Sequence, residues 1–269
     1  TVTVDVKGDD TFEVDEYFSL VLSNTQGLEL NESSIGKGTI ADDDPADSKG
    51  YFFGSATMNE VEIDDLIGLA YNDRLMLFSK TGNQNVLYDI ALDDVTGAKY
   101  SGTARVYVNG INPIEIAVTG ITDEIKISGT LEGQGLAGGQ FEVTYIEEAN
   151  EPATFERIDT ATSGDRWNGK LYGVELTSGQ FLATREDRYA GYESLSPRDC
   201  YYTGDPFYTE ENIIVLNHEI LSHDSEAPCA YEEPGYTGHA SVINDAAGNK
   251  VLVYAFANDK YAQFSVMTQ

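Results

Sequence analysis

Short stretches of alternating apolar and polar residues recur along this chain, and their period of two constrains the fold more than any other feature. They include Thr1–Val6, Tyr17–Leu22, Ala104–Val108, Ile114–Val118, Glu124–Ile127 and Phe264–Val266. Successive side chains of a strand point to opposite faces, so each stretch can turn one face to a core and the other to water. Turn chemistry stands between them: Asn72-Asp73, Gly82-Asn83, Asn109-Gly110, Gly138-Gly139, Ser178-Gly179, Gly248-Asn249 and Asn258-Asp259. The 26 glycines supply further positions for positive φ. Many short strands at such spacing predict an all-β fold of antiparallel sandwiches or barrels. Helix is expected only over Glu60–Leu69 and Thr154–Thr160, two turns at most in each.

Punctuation divides the chain. The charged run Asp42-Asp43-Asp44 meets Pro45 and then small polar residues, after which Gly50-Tyr51-Phe52-Phe53-Gly54 starts afresh. The expected domains are therefore 1–45 and 50–269. A softer break at Glu147–Pro152 allows lobes 50–147 and 153–269. Beyond the first boundary a motif recurs, an aromatic residue followed two positions on by glycine: Phe52/Gly54, Tyr100/Gly102, Trp167/Gly169, Tyr202/Gly204 and Tyr236/Gly238. On a strand both members face the same side. A large ring beside a glycine lets a strand bend in a curved sheet while filling the gap, and strand openings are the expectation. The alternative is a platform on which sugars stack.

Charge excludes some partners. Acidic residues number 46 against 16 Lys plus Arg, a formal net charge of −30. Nucleic acid and anionic membranes both need a basic footprint, so neither is expected as a partner. No apolar run reaches the roughly 18 residues of a membrane span. An exported form is expected to have lost its leader already. The acid reads either as a solvated surface or as ligands for hard cations, Ca²⁺ taking six to eight oxygens. Cys200 and Cys229, the two cysteines, suit a disulfide in an oxidising compartment; the alternative is two buried thiols.

The N-terminal segment carries a family pattern. Gly8-Asp9-Asp10 leads through Glu13-Val14-Asp15-Glu16-Tyr17-Phe18 to Leu22-Ser23-Asn24, and Gly38-Thr39-Ile40-Ala41-Asp42-Asp43-Asp44 closes it. Residues 1–45 resemble the C-terminal part of a Calx-beta domain, an immunoglobulin-like calcium-binding sandwich of exported bacterial adhesins, matrix proteins, receptors and ion exchangers. The resemblance implies Ca²⁺ on Asp9, Asp10, Glu13, Asp42, Asp43 and Asp44. Electrostatics agrees, because carboxylates gathered at one end of a sandwich repel unless a cation neutralises them. The first half of the domain is missing from the chain. That would leave an open, weak site and unpaired strand edges, which are templates for pairing with another chain. Two expectations stand side by side: the chain is a piece cut from a longer one, or another subunit supplies the missing strands, which would make it a self-assembling fibre subunit that works by strand complementation.

From Gly50 onward the aromatic–glycine openings, Phe155-Glu156-Arg157 before Trp167, and the run from Cys200 to Phe264 look like uncharacterised β-rich modules of exported or lipid-anchored bacterial proteins. The likeness implies export and the Cys200–Cys229 bridge. No catalytic pattern stands out. His218-Glu219-Ile220-Leu221-Ser222-His223 spaces its histidines by five, not the four a zinc helix needs. Neither a serine elbow nor a distinctive carboxylate pair is present, and Asn31-Glu32-Ser33 would be an unused sequon in a bacterium. The expected function is that of a non-enzymatic, calcium-stabilised structural or adhesive protein at the bacterial cell surface, partnered by other protein chains. The alternative is a module that binds a glycan or small ligand with its Tyr and Trp residues.

Overall fold

The computed structural model describes residues 16–21, 35–40, 48–79, 85–96, 98–123, 125–160, 166–173, 177–194, 200–209, 211–222, 229 and 231–269. The fold is all-β. Strands β1 (Glu16–Val21) and β2 (Ile35–Ile40) form an antiparallel pair with Glu16 opposite Ile40 and Val21 opposite Ile35. Eight strands follow: β3 (Gly50–Met58), β4 (Val61–Tyr71), β5 (Arg74–Ser79), β6 (Val86–Thr96), β7 (Lys99–Val108), β8 (Ile111–Thr122), β9 (Lys126–Glu132) and β10 (Gly138–Tyr145). Each is antiparallel to the one before, and β10 returns to pair with β3, closing a barrel. The one-turn helix α1 (Phe155–Ile158) comes next. A second eight-stranded barrel then runs through β11 (Trp167–Tyr172), β12 (Thr177–Arg185), β13 (Arg188–Ser194), β14 (Cys200–Tyr208), β15 (Ile214–Ser222), β16 (Glu233–Asn244), β17 (Lys250–Ala257) and β18 (Ala262–Thr268), where β18 closes onto β11. Closure satisfies the backbone at what would otherwise be sheet edges.

Turn and bend chemistry explain why these residues form barrels. Asn109 and Gly110 both take positive φ, 55° and 66°, between β7 and β8. This is the two-residue hairpin turn whose twist matches that of the strands. All five aromatic–glycine pairs lie within strands, on β3, β7, β11, β14 and β16. Their rings are buried: Phe52, Tyr100, Trp167, Tyr202 and Tyr236 expose at most 3%. A Cβ on Gly54, Gly102, Gly169, Gly204 or Gly238 would fall 1.9–2.6 Å from a carbonyl of the neighbouring strand. Only glycine allows so close an approach, and the ring two residues away fills the space inside the bend.

The two barrels fill differently. The first is packed mainly with aliphatic residues, among them Leu66, Leu75, Leu77, Ile90, Val106 and Val118. The second is packed with rings: Trp167, Phe181, Tyr189, Tyr202, Tyr236, Tyr254 and Phe256. A third apolar cluster joins them from outside. Tyr51, Ile67, Leu69, Met76 and Phe78 of the first barrel meet Val251, Val253, Ala255 and Phe264 of the second.

This seam accounts for one departure from the sequence reading. Residues Glu60–Leu69 are not helix but a turn followed by most of β4. Leu66 and Ala70 face the barrel interior while Ile67 and Leu69 face the seam. With both faces buried, alternation vanishes and the apolar run imitates a buried helix. Strand β17 behaves likewise, with every residue after Lys250 buried. The other expected helix, Thr154–Thr160, contains α1.

Candidate functional site

The six residues offered for calcium, Asp9, Asp10, Glu13, Asp42, Asp43 and Asp44, lie outside the described residues. Among the described residues no group of three or more His, Cys, Asp or Glu could hold a metal ion. Cys200 and Cys229 form a disulfide with their Cα atoms 5.3 Å apart, tying the start of β14 to the connection between β15 and β16. Rings proposed as a sugar platform turn inward instead. The Tyr and Trp residues of the aromatic–glycine motif line barrel interiors, because that side of each strand faces the core.

Inside the second barrel most of the rings' polar atoms have a partner, whereas the Tyr231 hydroxyl and His218 Nε2 have none among the described residues. The Trp167 Nε1 donates to the Ile158 carbonyl at 3.0 Å, and the Tyr202 and Tyr254 hydroxyls lie 3.1 Å apart. The Tyr236 hydroxyl donates to the Tyr231 carbonyl at 2.8 Å. His218 stands among these rings, its Nδ1 2.7 Å from the Tyr189 hydroxyl, its ring stacked on Tyr236 and edge-on to Phe256. Burial pushes its pKa down to about 3 and raises that of Tyr189, so the imidazole is neutral. Sequence reasoning weighed His218 only as a metal ligand. Its place in an alternating strand, Ile214–Ser222, was the signal that it points inward.

Where the seam meets solvent it opens into a groove of about 590 Å³. Arg74 on β5 spans the groove. Its Nε and Nη2 donate to the two carboxylate oxygens of Asp89 at 2.6 and 2.9 Å, and its Nη1 donates to Thr237 Oγ1 at 2.8 Å. Arg105 on β7 donates to Glu115 within its own barrel at 3.3 Å and to Asp259 of the other at 2.9 Å. Backbone bonds reinforce this: Asn112 N–H to the Lys260 carbonyl, 2.8 Å, and Ala262 N–H to the Gly110 carbonyl, 2.9 Å. His239 is buried behind the groove. Its Nδ1 is 3.3 Å from the Leu69 carbonyl, which can only accept, so Nδ1 carries the proton. Burial first, and Arg74 second, lower its pKa to about 4. Both groove guanidiniums are committed to carboxylates, and the arrangement acts as a latch between barrels.

The groove continues over Gly235 and Thr237 into a dent of about 390 Å³ on the outer wall of the second barrel. A separate concavity of about 440 Å³ lies on the first barrel, lined largely by Ser, Thr and Gln.

No protein-family model matches the chain, and no curated protein matches it. Two solved structures resemble it. Aeromonas veronii immune modulator A aligns over 82% of this chain and 94% of its own, at 8% identity and a TM-score of 0.38. A protein of unknown function of the DUF3598 family from Nostoc punctiforme aligns over the same shares at 12% identity and a TM-score of 0.27.

Side chains fill the interiors of both barrels, and ion pairs span the groove. No helix among the described residues is long and apolar enough to cross a membrane.

Proposed function

We propose that this chain is an exported, non-enzymatic structural or adhesive protein of the bacterial cell surface, stabilised by calcium at its N-terminal segment and acting through its association with other chains. The observation that carries the reading is the latched pair of filled barrels. Aromatic and aliphatic cores, an apolar seam and cross-barrel hydrogen bonds all fix the shape without a ligand. A body of this kind presents rigid outer faces. The Cys200–Cys229 bridge suits an oxidising compartment.

The register of β1 and β2 supports the calcium reading. It sets Glu16 beside Ile40, and these are the strand ends from which the chain runs on to its two acidic groups. Among the described residues this pair makes no larger sheet. Two strands alone are marginally stable, and strands from another chain would complete the sheet.

The test uses the full chain with calcium or with chelator, in sedimentation and negative-stain imaging. Calcium-dependent oligomers or filaments, lost in chelator and in the variant Asp42→Asn/Asp43→Asn/Asp44→Asn, are the expected result. A monomer in both conditions, with no calcium-induced rise in Tm, overturns the proposal.

A further inference from the structure

The outer face of the second barrel around β14 has the makings of a recognition site. Tyr201, Thr203, Asp205 and Phe207 alternate along β14 toward one side. On β15, Glu219 pairs with Thr203 and Asn217 with Asp205; on β16, Thr237 pairs with Asn217. Arg188 at the start of β13 completes the lining of the dent. The side chains of Arg188, Asp205, Asn217 and Glu219 make no hydrogen bond or ion pair with another described residue. In the neighbouring groove, by contrast, Arg74 and Arg105 are both spent on the latch.

Apolar rings stand at both ends of the dent. Phe207 is 59% exposed, although the same barrel buries Phe181, Phe256 and Phe264. Toward the other end Tyr192, 43% exposed, lies across from Tyr201 with ring centroids 5.9 Å apart. Tyr201 and Phe207 are six positions apart on one strand, a span of about 20 Å. Single exposed rings are ordinary on a surface; here Tyr192, Tyr201 and Phe207 share one face of β13 and β14.

We propose that this face binds a neutral glycan chain lying along β14. Sugar rings offer an apolar face to Phe207 and to the Tyr192–Tyr201 pair. Their hydroxyls both donate and accept, which suits carboxylates, a guanidinium and an amide set side by side. Charge selects among glycans. A molecule of net charge −30 repels uronate and sulfated polymers, while Arg188 offsets part of the local charge of Asp205 and Glu219. The inference rests on the adhesive reading in that it supplies the partner.

An array of neutral gluco-, galacto- and manno-oligosaccharides, with polyuronates alongside, tests it on the full disulfide-bonded chain. Retention of a neutral glycan is expected, with affinity falling at least tenfold in Phe207→Ala and in Asp205→Ala. Both residues are exposed, so Tm should stay unchanged, and Phe53→Ala on the first barrel should bind as wild type does. If no neutral glycan is retained, if only polyuronates are, or if both variants bind normally, the site is refuted. Calcium-dependent assembly of Phe207→Ala is read in parallel. Its persistence alongside failed glycan binding sinks this site alone and leaves the assembly reading standing.

Discussion

The two barrels have the same number of strands and the same up-and-down order, yet they solve the problem of a filled interior in opposite ways. The first uses mostly aliphatic side chains that ask for shape, with the Tyr88 and Tyr100 hydroxyls donating to the Leu136 and Ser128 carbonyls. The second uses rings, and with them come Trp167, Tyr189, Tyr202, Tyr236 and His218, whose polar atoms must be satisfied away from water. Rings bury more area per residue but tie the core to hydrogen bonds and to protonation. The second barrel adds a disulfide, and both buried histidines sit on its strands. The lesson is that equal topology does not give equal vulnerability.

Trp167→Ala should strike this contrast hardest. It empties a fully buried ring and strips the Ile158 carbonyl of its donor, at a cost of about 3–5 kcal/mol in denaturant unfolding. Leu75→Ala in the first barrel should cost less, and a larger loss there would break the comparison. Next comes the double substitution Cys200→Ala/Cys229→Ala, expected to cost roughly 3–4 kcal/mol by the loop-entropy argument. Hydrogen exchange should rise across β14 and β15 and stay unchanged in β5 and β6; a uniform rise would show that the barrels unfold as one.

Acid should separate them more gently. His218 and His239 are held at about 3 and about 4, below the ordinary value of about 6.5. Each therefore takes up a proton on unfolding, and its contribution is whole above about pH 6.5 and lost as pH falls toward its folded value. The slope is about 1.4 kcal/mol per pH unit for each histidine within that window. His218→Phe should flatten the slope of the second barrel, read by calorimetry between pH 7 and 5; an unchanged slope would remove His218 from the argument. Smallest is Arg74→Met, which takes from Asp89 the guanidinium that bonds both its oxygens and should cost about 1–2 kcal/mol, read as a splitting of one thermal transition into two.

Much of the fold was legible because its signals are local. The alternation of Ala104–Val108 and the Asn109-Gly110 turn mark β7 and its hairpin without help from the rest of the chain. The aromatic–glycine pairs mark bends for the same reason: the ring and the glycine are two residues apart. The seam was not legible. Ile67 and Leu69, or Val251 and Val253, look like any apolar run until a second barrel lies against them. The dent was hidden for a related reason, since Arg188, Asp205 and Asn217 come together only through strand pairing. Phe207 gave no warning, because alternation alone does not tell an outward ring from an inward one. The acidic residues that stood out most in the sequence lie outside the described part of the structure.

Closure of each barrel has a consequence for timing. Phe52 meets Tyr145, and Asn168 meets Thr268, only when the last strand of each barrel arrives. Until then the growing sheet waits with two bare edges, the slowest contacts to form and the ones most open to a wrong partner. A surplus of thirty negative charges keeps such half-made chains at a distance from one another. Its acidity, whatever it binds once folded, is also a guard over the interval before the ring of strands is complete.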